Sequence, residues 1–325
     1  MSQLKLSFIA TMITDTIPLI SAIKFVNEKY GEIVDVRLQT GIGSEDFENM
    51  NDFFDFAKKS HLSIVHLMGT FPNYDTFVSL MKNAKVPLLV ISPNSEQPSV
   101  CTIESEDKQF IMKYIKFGGK INFVNLLLFL SNRFTGSNYD VSPPEKIQWE
   151  GIYHPDFQKI ITIDDYLEKK YIPNKPTVGI LFHTTQFQGE NTSFVESLIK
   201  SIESLGANAI AVSYDGKLNW AIENCFSKNG KCIVDSVVSA LCFSLTSSNV
   251  AASEALNKLG VPIIKAILTV NSFEDWRDTE QGLNFMDIPS SVVMPEFDGF
   301  LITVPMAAMD SSEINPLTGT KVLKF

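Results

Sequence analysis

The stretch Val178-Gly179-Ile180-Leu181-Phe182-His183 is a short apolar run of the kind that forms a buried strand. Thr192 to Leu205 follows with apolar residues at helical spacing, and Gly206 ends that helix. Ala209 to Ser213 is again a short apolar run. Strands that alternate with helices of this length pair in parallel through right-handed crossovers. The segment therefore predicts a doubly wound α/β unit.

The same alternation extends on both sides of this segment. The downstream prediction is helix Leu218 to Ser227, strand Ser236 to Ser244, helix Val250 to Leu259 and strand Val261 to Leu268. The upstream prediction is strand Leu6 to Ala10, helix Ile17 to Tyr30, strand Ile33 to Leu38, helix Phe47 to Lys59, strand Leu62 to Met68, helix Tyr74 to Asn83 and strand Val86 to Ile91. We therefore predict two doubly wound units of the Rossmann or flavodoxin type.

The region between the two series has a different pattern. Glu104 to Phe134 predicts two helices broken at Gly118-Gly119, and Thr135 to Pro144 has the composition of a linker. The predicted division is a first doubly wound domain over 1–102, a helical segment and linker over 103–145, and a second doubly wound domain over 146–325.

Composition limits the classes of function. The chain has 325 residues, 45% of them hydrophobic and 20% charged, which is typical of globular domains with sizeable cores. Its net charge of −10 disfavours nucleic-acid binding, because that binding depends on Lys and Arg that neutralise phosphates. No apolar run approaches the roughly 18 residues that a membrane span needs.

The cysteines and the first residues bear on location. Met1 to Ala10 lacks a cleavage site and predicts a first strand instead of a signal peptide. The four cysteines have no Cys-x-x-Cys spacing, which disfavours a zinc site and favours reduced thiols in the cytoplasm. They are Cys101, Cys225, Cys232 and Cys242.

Several nucleotide and hydrolase motifs are missing from the sequence. It contains no Gly-x-x-x-x-Gly-Lys-Ser/Thr loop, and Gly41-Ile42-Gly43 lacks the third glycine of a dinucleotide fingerprint. It also has no Gly-x-Ser-x-Gly elbow and no His-Glu-x-x-His helix. We expect no ATP hydrolysis and no resident metal or cofactor in this chain.

His183 and the loop after it form one candidate site, because doubly wound sheets bind ligands at the carboxyl ends of their strands. The loop contains Gly189, Asn191 and Thr192, and its amides precede a helix, where they suit a carboxylate. The alternative is that Asn191 or Thr192 only caps the helix and His183 bonds locally.

His154, Glu296 and Asp298 are further candidates. Pro155 biases His154 to an extended conformation, where it could hold a metal or a propionate, or could simply pack locally. Glu296 and Asp298 would share one face of an extended segment and could meet a cation or an N–H group of a ligand, although paired acids are also common in solvated turns. We expect these acids and His183 to face a common cleft, with His154 at its edge.

Five blocks occur in a characteristic order between about Ile103 and Met309. Together they resemble the amino-terminal part of the large tetrapyrrole-binding subunit of ATP-dependent metal chelatases, the family of cobaltochelatase and magnesium chelatase. The blocks are Gly118-Gly119-x-x-Asn122, Gly151-Ile152-Tyr153-His154-Pro155, Val178 to His183, Ser272-x-x-x-Trp276 leading to Gly282-Leu283, and Pro295-Glu296-Phe297-Asp298-Gly299.

The resemblance implies a tetrapyrrole substrate and separate AAA+ ATPase subunits as partners. The full complex would need ATP, Mg²⁺ and a divalent metal substrate, Co²⁺ or Mg²⁺, and would serve a pathway such as cobalamin biosynthesis. Trp276 is expected in the core or in the lining of the cleft. Family members have much longer chains, and their later Gly-Thr-His-Gly block has no counterpart here, so the catalytic residues are unassigned and this chain alone is expected to be inactive. A small-molecule receptor without chemistry and a partner-docking module stay open as alternatives.

Overall fold

The structure is a computed structural model, and it describes residues 3–11, 13–40, 50–94, 96–157, 159–242, 245, 250–269, 271–278, 280, 282–285, 287–310 and 315. The described residues form two compact units. Unit 1 consists mainly of the residues up to Ile147, and unit 2 mainly of those from Gln148 onward. Each unit is built on a largely parallel sheet, which confirms the predicted α/β class.

Unit 1 contains a four-stranded parallel sheet in the order β2-β1-β3-β4. In register, Leu6 of the first strand faces Val36 on one side and Leu62 on the other. The elements are β1 (Leu4–Ala10), α1 (Ile13–Tyr30), β2 (Val34–Thr40), α2 (Asn51–Ala57), β3 (Leu62–Met68), α3 (Tyr74–Ala84), β4 (Leu88–Asn94), α4 (Ser105–Phe117) and α5 (Gly119–Thr135).

Helices cover both faces of the unit 1 sheet, as the alternation of the strand residues requires. Leu6 and Phe8 of β1 pack in one cluster with α1 and α5, while Ile9 points to the other face and packs with α2 and α3. Gly118 and Gly119 have φ of +61° and +76°, a conformation that glycine adopts readily, and the chain breaks there between α4 and α5 as predicted. The start of the helix predicted at Phe47 lies outside the described residues.

Unit 2 contains a six-stranded sheet in the order β12-β11-β10-β6-β7-β5, in which only β5 runs antiparallel to its neighbour. The elements are β5 (Gly151–Tyr153), α6 (Ile163–Lys169), β6 (Thr177–His183), α7 (Thr184–Gln188), α8 (Ser193–Ser204), β7 (Asn208–Tyr214), α9 (Leu218–Cys225), β8 (Ser227–Lys228), β9 (Lys231–Cys232), β10 (Ser236–Ser239), α10 (Val250–Leu259), β11 (Ile263–Thr269), α11 (Phe273–Asp278), a π-helical turn (Ile288–Val293), α12 (Met294–Phe297) and β12 (Leu301–Ala308).

Each face of the unit 2 sheet also carries helices. Val195 and Ile199 of α8 pack against Ile180 and Phe182 of β6 on one face. Residues of α9 and α10 pack with Leu181 on the other face. The parallel strands β6, β7, β10, β11 and β12 therefore form the predicted second doubly wound unit. No helix within the described ranges is long and apolar enough to cross a membrane.

Four parts of unit 2 differ from the sequence prediction. The short strand β5 and the edge strand β12 were not predicted, and β12 carries Pro305, which is tolerated only at an edge or a bulge. The strand predicted to reach Ser244 ends at Ser239, and Phe243 and Ser244 lie outside the described residues. Met294–Phe297 is helical, whereas the sequence predicted an extended segment.

Candidate functional site

The strand order places a ligand-binding edge in each unit. In unit 2 the parallel strands run β7-β6-β10-β11-β12, so β6, the first of the parallel strands, lies inside the sheet and the connections diverge on its two sides. Unit 1 has the corresponding order β2-β1-β3-β4. Sheets of this kind bind ligands where the connections diverge, at the carboxyl ends of the strands. Side chains that follow these strands are therefore the first candidates.

His183 is the last residue of β6 and lies at such an end. Its Nδ1 accepts the backbone N–H of Thr185 at 3.2 Å and lies 2.9 Å from the Thr185 hydroxyl. The neutral ring therefore carries its proton on Nε2, which can donate to an acceptor. Partial removal of water from the ring lowers the pKa of His183, and the charge of Asp215 opposes this effect. His183 is thus a neutral donor at the edge of the sheet near pH 7.

The residues after His183 form the short helix α7 before the chain turns into α8. Gly189 is buried, and Asn191 is buried and donates its backbone N–H to the carbonyl of Gln186 at 2.8 Å. Thr192 occupies the N-cap position of α8, but its side chain makes no capping hydrogen bond. The turn is therefore compact, and the side chain of Thr192 does not cap α8.

The hydroxyl of Thr192 belongs to a small polar network. It donates to Oε1 of Glu196 at 3.1 Å and lies 3.2 Å from the hydroxyl of Tyr153. Tyr153 also donates to Oε1 of Glu196, at 2.8 Å, and its pKa is raised to about 12, chiefly by burial. This network connects β5 to the first turn of α8 and fixes the start of that helix.

His154 does not lie at the same end of the sheet as His183. It follows β5, in which Tyr153 is opposite Ala211, and the antiparallel direction of β5 carries it toward the amino end of β7. The side chain is 1% exposed, with Nδ1 accepting the amide of Asp156 at 3.2 Å and Nε2 donating to Glu203 at 3.1 Å. This environment corresponds to the local packing alternative.

Glu296 and Asp298 also lie away from the end marked by His183. Both precede β12, which runs parallel to β11, so they lie near the amino end of that strand. Glu296 is exposed on α12, and Asp298 accepts the backbone N–H of Leu245 at 2.7 Å. The expected common cleft with His183 is not formed, because His183 lies at the carboxyl end of its strand, whereas Glu296 and Asp298 lie at the amino end of theirs.

Trp276 lies at the carboxyl edge. It is on α11, which directly follows β11, and its ring centroid lies 6.1 Å from that of Phe273. Phe273 borders a groove of about 420 Å³ in unit 2. Other residues of the groove are Ser193, Phe194 and Ser197 of α8 and Met306, Ala307 and Ala308 at the end of β12. The groove brings the first turn of α8, next to Thr192, close to the helix that carries Trp276.

A second candidate site lies at the carboxyl edge of the unit 1 sheet. It was not predicted from the sequence. A cavity of about 690 Å³ lies there, and His66, near the end of β3, and Thr14, in the first turn of α1, are part of its lining. Nδ1 of His66 lies 2.5 Å from Oδ2 of Asp15, and these side chains are 12% and 2% exposed. The sequence signal was a histidine near the end of a parallel strand, the signal that identified His183.

Charge governs the behaviour of the His66 and Asp15 pair. Burial, the largest influence, lowers the pKa of His66, but the charge and hydrogen bond of Asp15 together outweigh it and raise the pKa above the usual 6.5. The hydroxyl of Thr14 donates a hydrogen bond to Oδ1 of Asp15 at 3.3 Å. Within the part of the chain that the structure describes, no group of three or more His, Cys, Asp or Glu side chains could hold a metal ion.

The fold defines a protein of the α/β class that is built from two doubly wound units. The chain belongs to the CobN/magnesium chelatase family, whose model matches residues 112–323. The sequence resemblance to large chelatase subunits is thereby confirmed.

Relatives from three organisms illustrate this membership. The chain is 30% identical to an uncharacterized protein of Methanocaldococcus jannaschii, over 99% of this chain and 28% of that protein. It is 21% identical to the aerobic cobaltochelatase subunit CobN of Pseudomonas aeruginosa, over 66% of this chain and 17% of the relative. The catalytic subunit of cobaltochelatase from Mycobacterium tuberculosis superposes with a TM-score of 0.65 at 20% identity, covering 98% of this chain and 26% of that one. The chain thus spans between about a sixth and about a quarter of the length of these relatives.

Proposed function

We propose that this chain is the amino-terminal, tetrapyrrole-binding part of a cobaltochelatase-like large subunit. The groove of about 420 Å³ at the carboxyl edge of the unit 2 sheet is the observation that carries the proposal. Phe273 and Met306 offer apolar surface to a flat ring, and Ser193 and Ser197 offer hydroxyl groups at the first turn of α8. A carboxylate on the ring is stabilised there by the amides of the helix terminus.

His183 completes the proposed site from the neighbouring strand end. Because its Nε2 carries the proton in the neutral ring, it can donate to a second carboxylate or to a ring substituent. The other proposed contacts are Gly189, Asn191 and Thr192, which shape the turn into α8, and Trp276, which stands behind Phe273. His154, Glu296 and Asp298 lie away from the carboxyl edge that carries His183. We propose that they stabilise the fold of unit 2 and do not contact the tetrapyrrole.

The energy for metal insertion is proposed to come from separate subunits. The sequence lacks a phosphate-binding loop, and membership in the family supports AAA+ ATPase partners that use ATP and Mg²⁺. The metal, Co²⁺ or Mg²⁺, is a substrate of the whole complex. We therefore expect the 325-residue chain to bind a tetrapyrrole but neither to hydrolyse ATP nor to insert a metal.

Tryptophan fluorescence provides the test, because all three tryptophans, Trp149, Trp220 and Trp276, belong to unit 2. A free-base porphyrin with carboxylate side chains is titrated into the purified chain, and quenching is expected. Ser197→Glu places a negative charge in the groove and is expected to weaken binding at least tenfold, roughly 1.4 kcal/mol. Ser204→Glu adds the same charge to the last turn of α8, outside the groove, and is the matched control.

Two further variants assign the contacts. His183→Ala is expected to weaken porphyrin binding about threefold or more, whereas Glu296→Gln is expected to leave it unchanged. Equal affinities for the Ser197→Glu variant and the unaltered chain would refute the groove as the tetrapyrrole site.

One observation favours partner docking as a second candidate function of unit 2. Large apolar side chains on its last elements are exposed to solvent, and apolar patches of this kind are common at interaction sites. They include Phe285, Phe297, Leu301 and Val304. Capture of purified ATPase subunits by the chain without porphyrin, and its loss in Phe297→Ser with Val304→Ser, would establish docking as a function in its own right.

A further inference from the structure

The unit 1 cavity lies at the point of its sheet where ligands are bound in sheets of this order. β1 is flanked by β2 and β3, so the connections diverge between β1 and β3. The residue near the end of β3 in the lining is His66, and the lining residue that follows β1 is Thr14. Ile91 and Pro93 of β4 line the adjacent part. The position of the cavity therefore follows from the topology of the unit 1 sheet, and Gln188, which also lines it, groups with unit 1.

The walls of the cavity are mostly apolar. Ile91 and Pro93 come from β4, and Met112 and Ile115 come from α4. At about 690 Å³ the cavity has the size of a small-molecule site. An apolar body of moderate size would lose contact with water on several sides, which is the main source of affinity in such sites.

The charged side chains that line the cavity are cationic. Gln109, Met112, Lys113 and Lys116 line it from α4 at the spacing of one helix face. None of the described residues in the lining is acidic, although the chain as a whole has a net charge of −10. The lysines are solvent-exposed, so the cavity is open on the α4 side. An anion entering from this side meets two positive charges.

Protonated His66 supplies a directed donor within the cavity, because the Nδ1 proton is donated to Asp15 and Nε2 carries a proton only in the charged ring. Its Nδ1 is held by the Asp15 carboxylate, and among the described residues Nε2 has no hydrogen-bond partner. An imidazole that is fixed through one nitrogen presents the other in a defined direction. Asp15 is 2% exposed, so its carboxylate is engaged with His66 behind the cavity wall.

We propose that the unit 1 cavity binds a small organic carboxylate with an apolar body, whose carboxylate accepts a hydrogen bond from Nε2 of the protonated His66 ring. Lys113 and Lys116 attract the anion, and Ile91, Pro93 and Met112 contact its apolar part. This site is separate from the tetrapyrrole groove of unit 2 and does not depend on the proposed function.

The probes are three naphthalene derivatives of nearly equal size and different charge. 1-Naphthoate carries the carboxylate, 1-naphthamide is its neutral counterpart, and 1-naphthylmethylamine is a cation. Isothermal titration calorimetry gives the affinities, and the NMR signal of the His66 ring reports contact within unit 1. We expect naphthoate to bind about tenfold or more tightly than the amide, because hydrogen bonds to ionised acceptors are the stronger ones. The amine is expected not to bind.

Variants separate the polar contacts. His66→Gln is expected to weaken naphthoate binding about tenfold, and Lys113→Gln with Lys116→Gln about threefold, with less dependence on salt. Lys59→Gln with Lys82→Gln removes two exposed lysines of unit 1 that do not line the cavity and is expected to change nothing. The lysine variants alter only exposed positions, so they test the proposal even if His66→Gln does not fold.

The pH dependence adds a signature of His66. Asp15 from α1 contacts the ring, and Lys113 and Lys116 from α4 are the other titratable groups that line the same cavity. Affinity for naphthoate is expected to fall as pH rises through the raised pKa of His66, since only the protonated ring has a proton on Nε2 to donate to the anion. In His66→Gln this fall is expected to disappear.

The outcomes distinguish this site from the tetrapyrrole site. Naphthoate binding that persists when porphyrin saturates the tryptophan signal supports a separate site in unit 1. Displacement of naphthoate by porphyrin, equal affinities for naphthoate and naphthamide, or an unshifted His66 signal would each overturn the proposal. Failure of porphyrin binding alone would leave it standing.

Discussion

Nδ1 of His66 lies 2.5 Å from Oδ2 of Asp15, and this contact joins the end of β3 to the first turn of α1 across 51 positions of the chain. The two side chains are largely removed from water, so the hydrogen bond is made in an environment where electrostatic interactions are strong. The pair therefore fixes the direction of the imidazole and also couples the stability of unit 1 to pH.

Asp15→Asn is expected to lower the pKa of His66 below 6.5, because burial then acts without the opposing carboxylate. In the unaltered chain the folded-state pKa is raised, so the pair stabilises the fold below pH 6.5 and this contribution is lost as pH rises through the folded-state pKa. The variant is expected to lose more stability at pH 5.5 than at pH 8.5. An NMR titration of His66 and urea unfolding at both pH values measure these effects.

Glu28→Gln is the control for Asp15→Asn, because Glu28 is an exposed carboxylate of the same helix. It is expected to leave the His66 titration unchanged. A His66 pKa that is the same in Asp15→Asn and in the unaltered chain would show that the carboxylate does not govern the ring.

Gly151→Ala is expected to destabilise unit 2 by about 2 kcal/mol or more. Gly151 has φ of +139°, and a Cβ at this position would overlap Cγ2 of Ile160. The variant therefore suffers both backbone strain and a steric clash. Urea unfolding followed by circular dichroism gives the loss.

A double-mutant cycle separates the two causes. Ile160→Ala removes the clashing methyl group, so adding it to Gly151→Ala should recover part of the lost stability while the strain remains. Strictly additive losses would show that the clash is relieved by movement of the chain.

The core elements of both sheets could be predicted because their residues carry the signal themselves. Ile180 and Phe182 lie on one face of β6 while Leu181 lies on the other, and both faces are covered, so the strand is apolar throughout. β12 gave a weaker signal because Pro305 interrupts it and because, as an edge strand, it exposes Leu301.

The positions of the site residues depended on information that the sequence does not carry locally. Glu296 and Asp298 were predicted to share a cleft with His183, but their end of the sheet is decided by β12, which was not predicted. The contact between His66 and Asp15 was out of reach for a similar reason, because it requires the order of the strands. His183 itself was placed correctly at a strand end, since it directly follows an apolar run.

His154→Ala is expected to cost roughly 2 kcal/mol of stability and to leave porphyrin affinity unchanged. The histidine is 1% exposed and bonds both the amide of Asp156 and the carboxylate of Glu203, which are left without this partner in the variant. Thermal unfolding and the tryptophan titration measure the two quantities. A loss of porphyrin affinity with unchanged stability would instead make His154 a ligand contact.

Lys265→Met is expected to change how the stability of unit 2 depends on pH. Lys265 lies in β11 between β10 and β12, is 0% exposed, and donates from Nζ to the carbonyl of Leu241 at 2.5 Å. Burial lowers its pKa from 10.5 to about 8. Between these values the unfolded chain holds a proton that the folded chain has released, so the unaltered chain gains stability as pH rises. Relative to Lys265→Met, that gain should reach roughly 2 kcal/mol between pH 7 and pH 10, because one pKa unit corresponds to about 1.4 kcal/mol.

Urea unfolding of both proteins across this range measures the difference, in which the titration of all other groups cancels. Lys258→Met, at an exposed position in the last turn of α10, should show no such change. A difference between Lys265→Met and the unaltered chain that stays constant with pH would mean that Lys265 keeps its proton in the folded state.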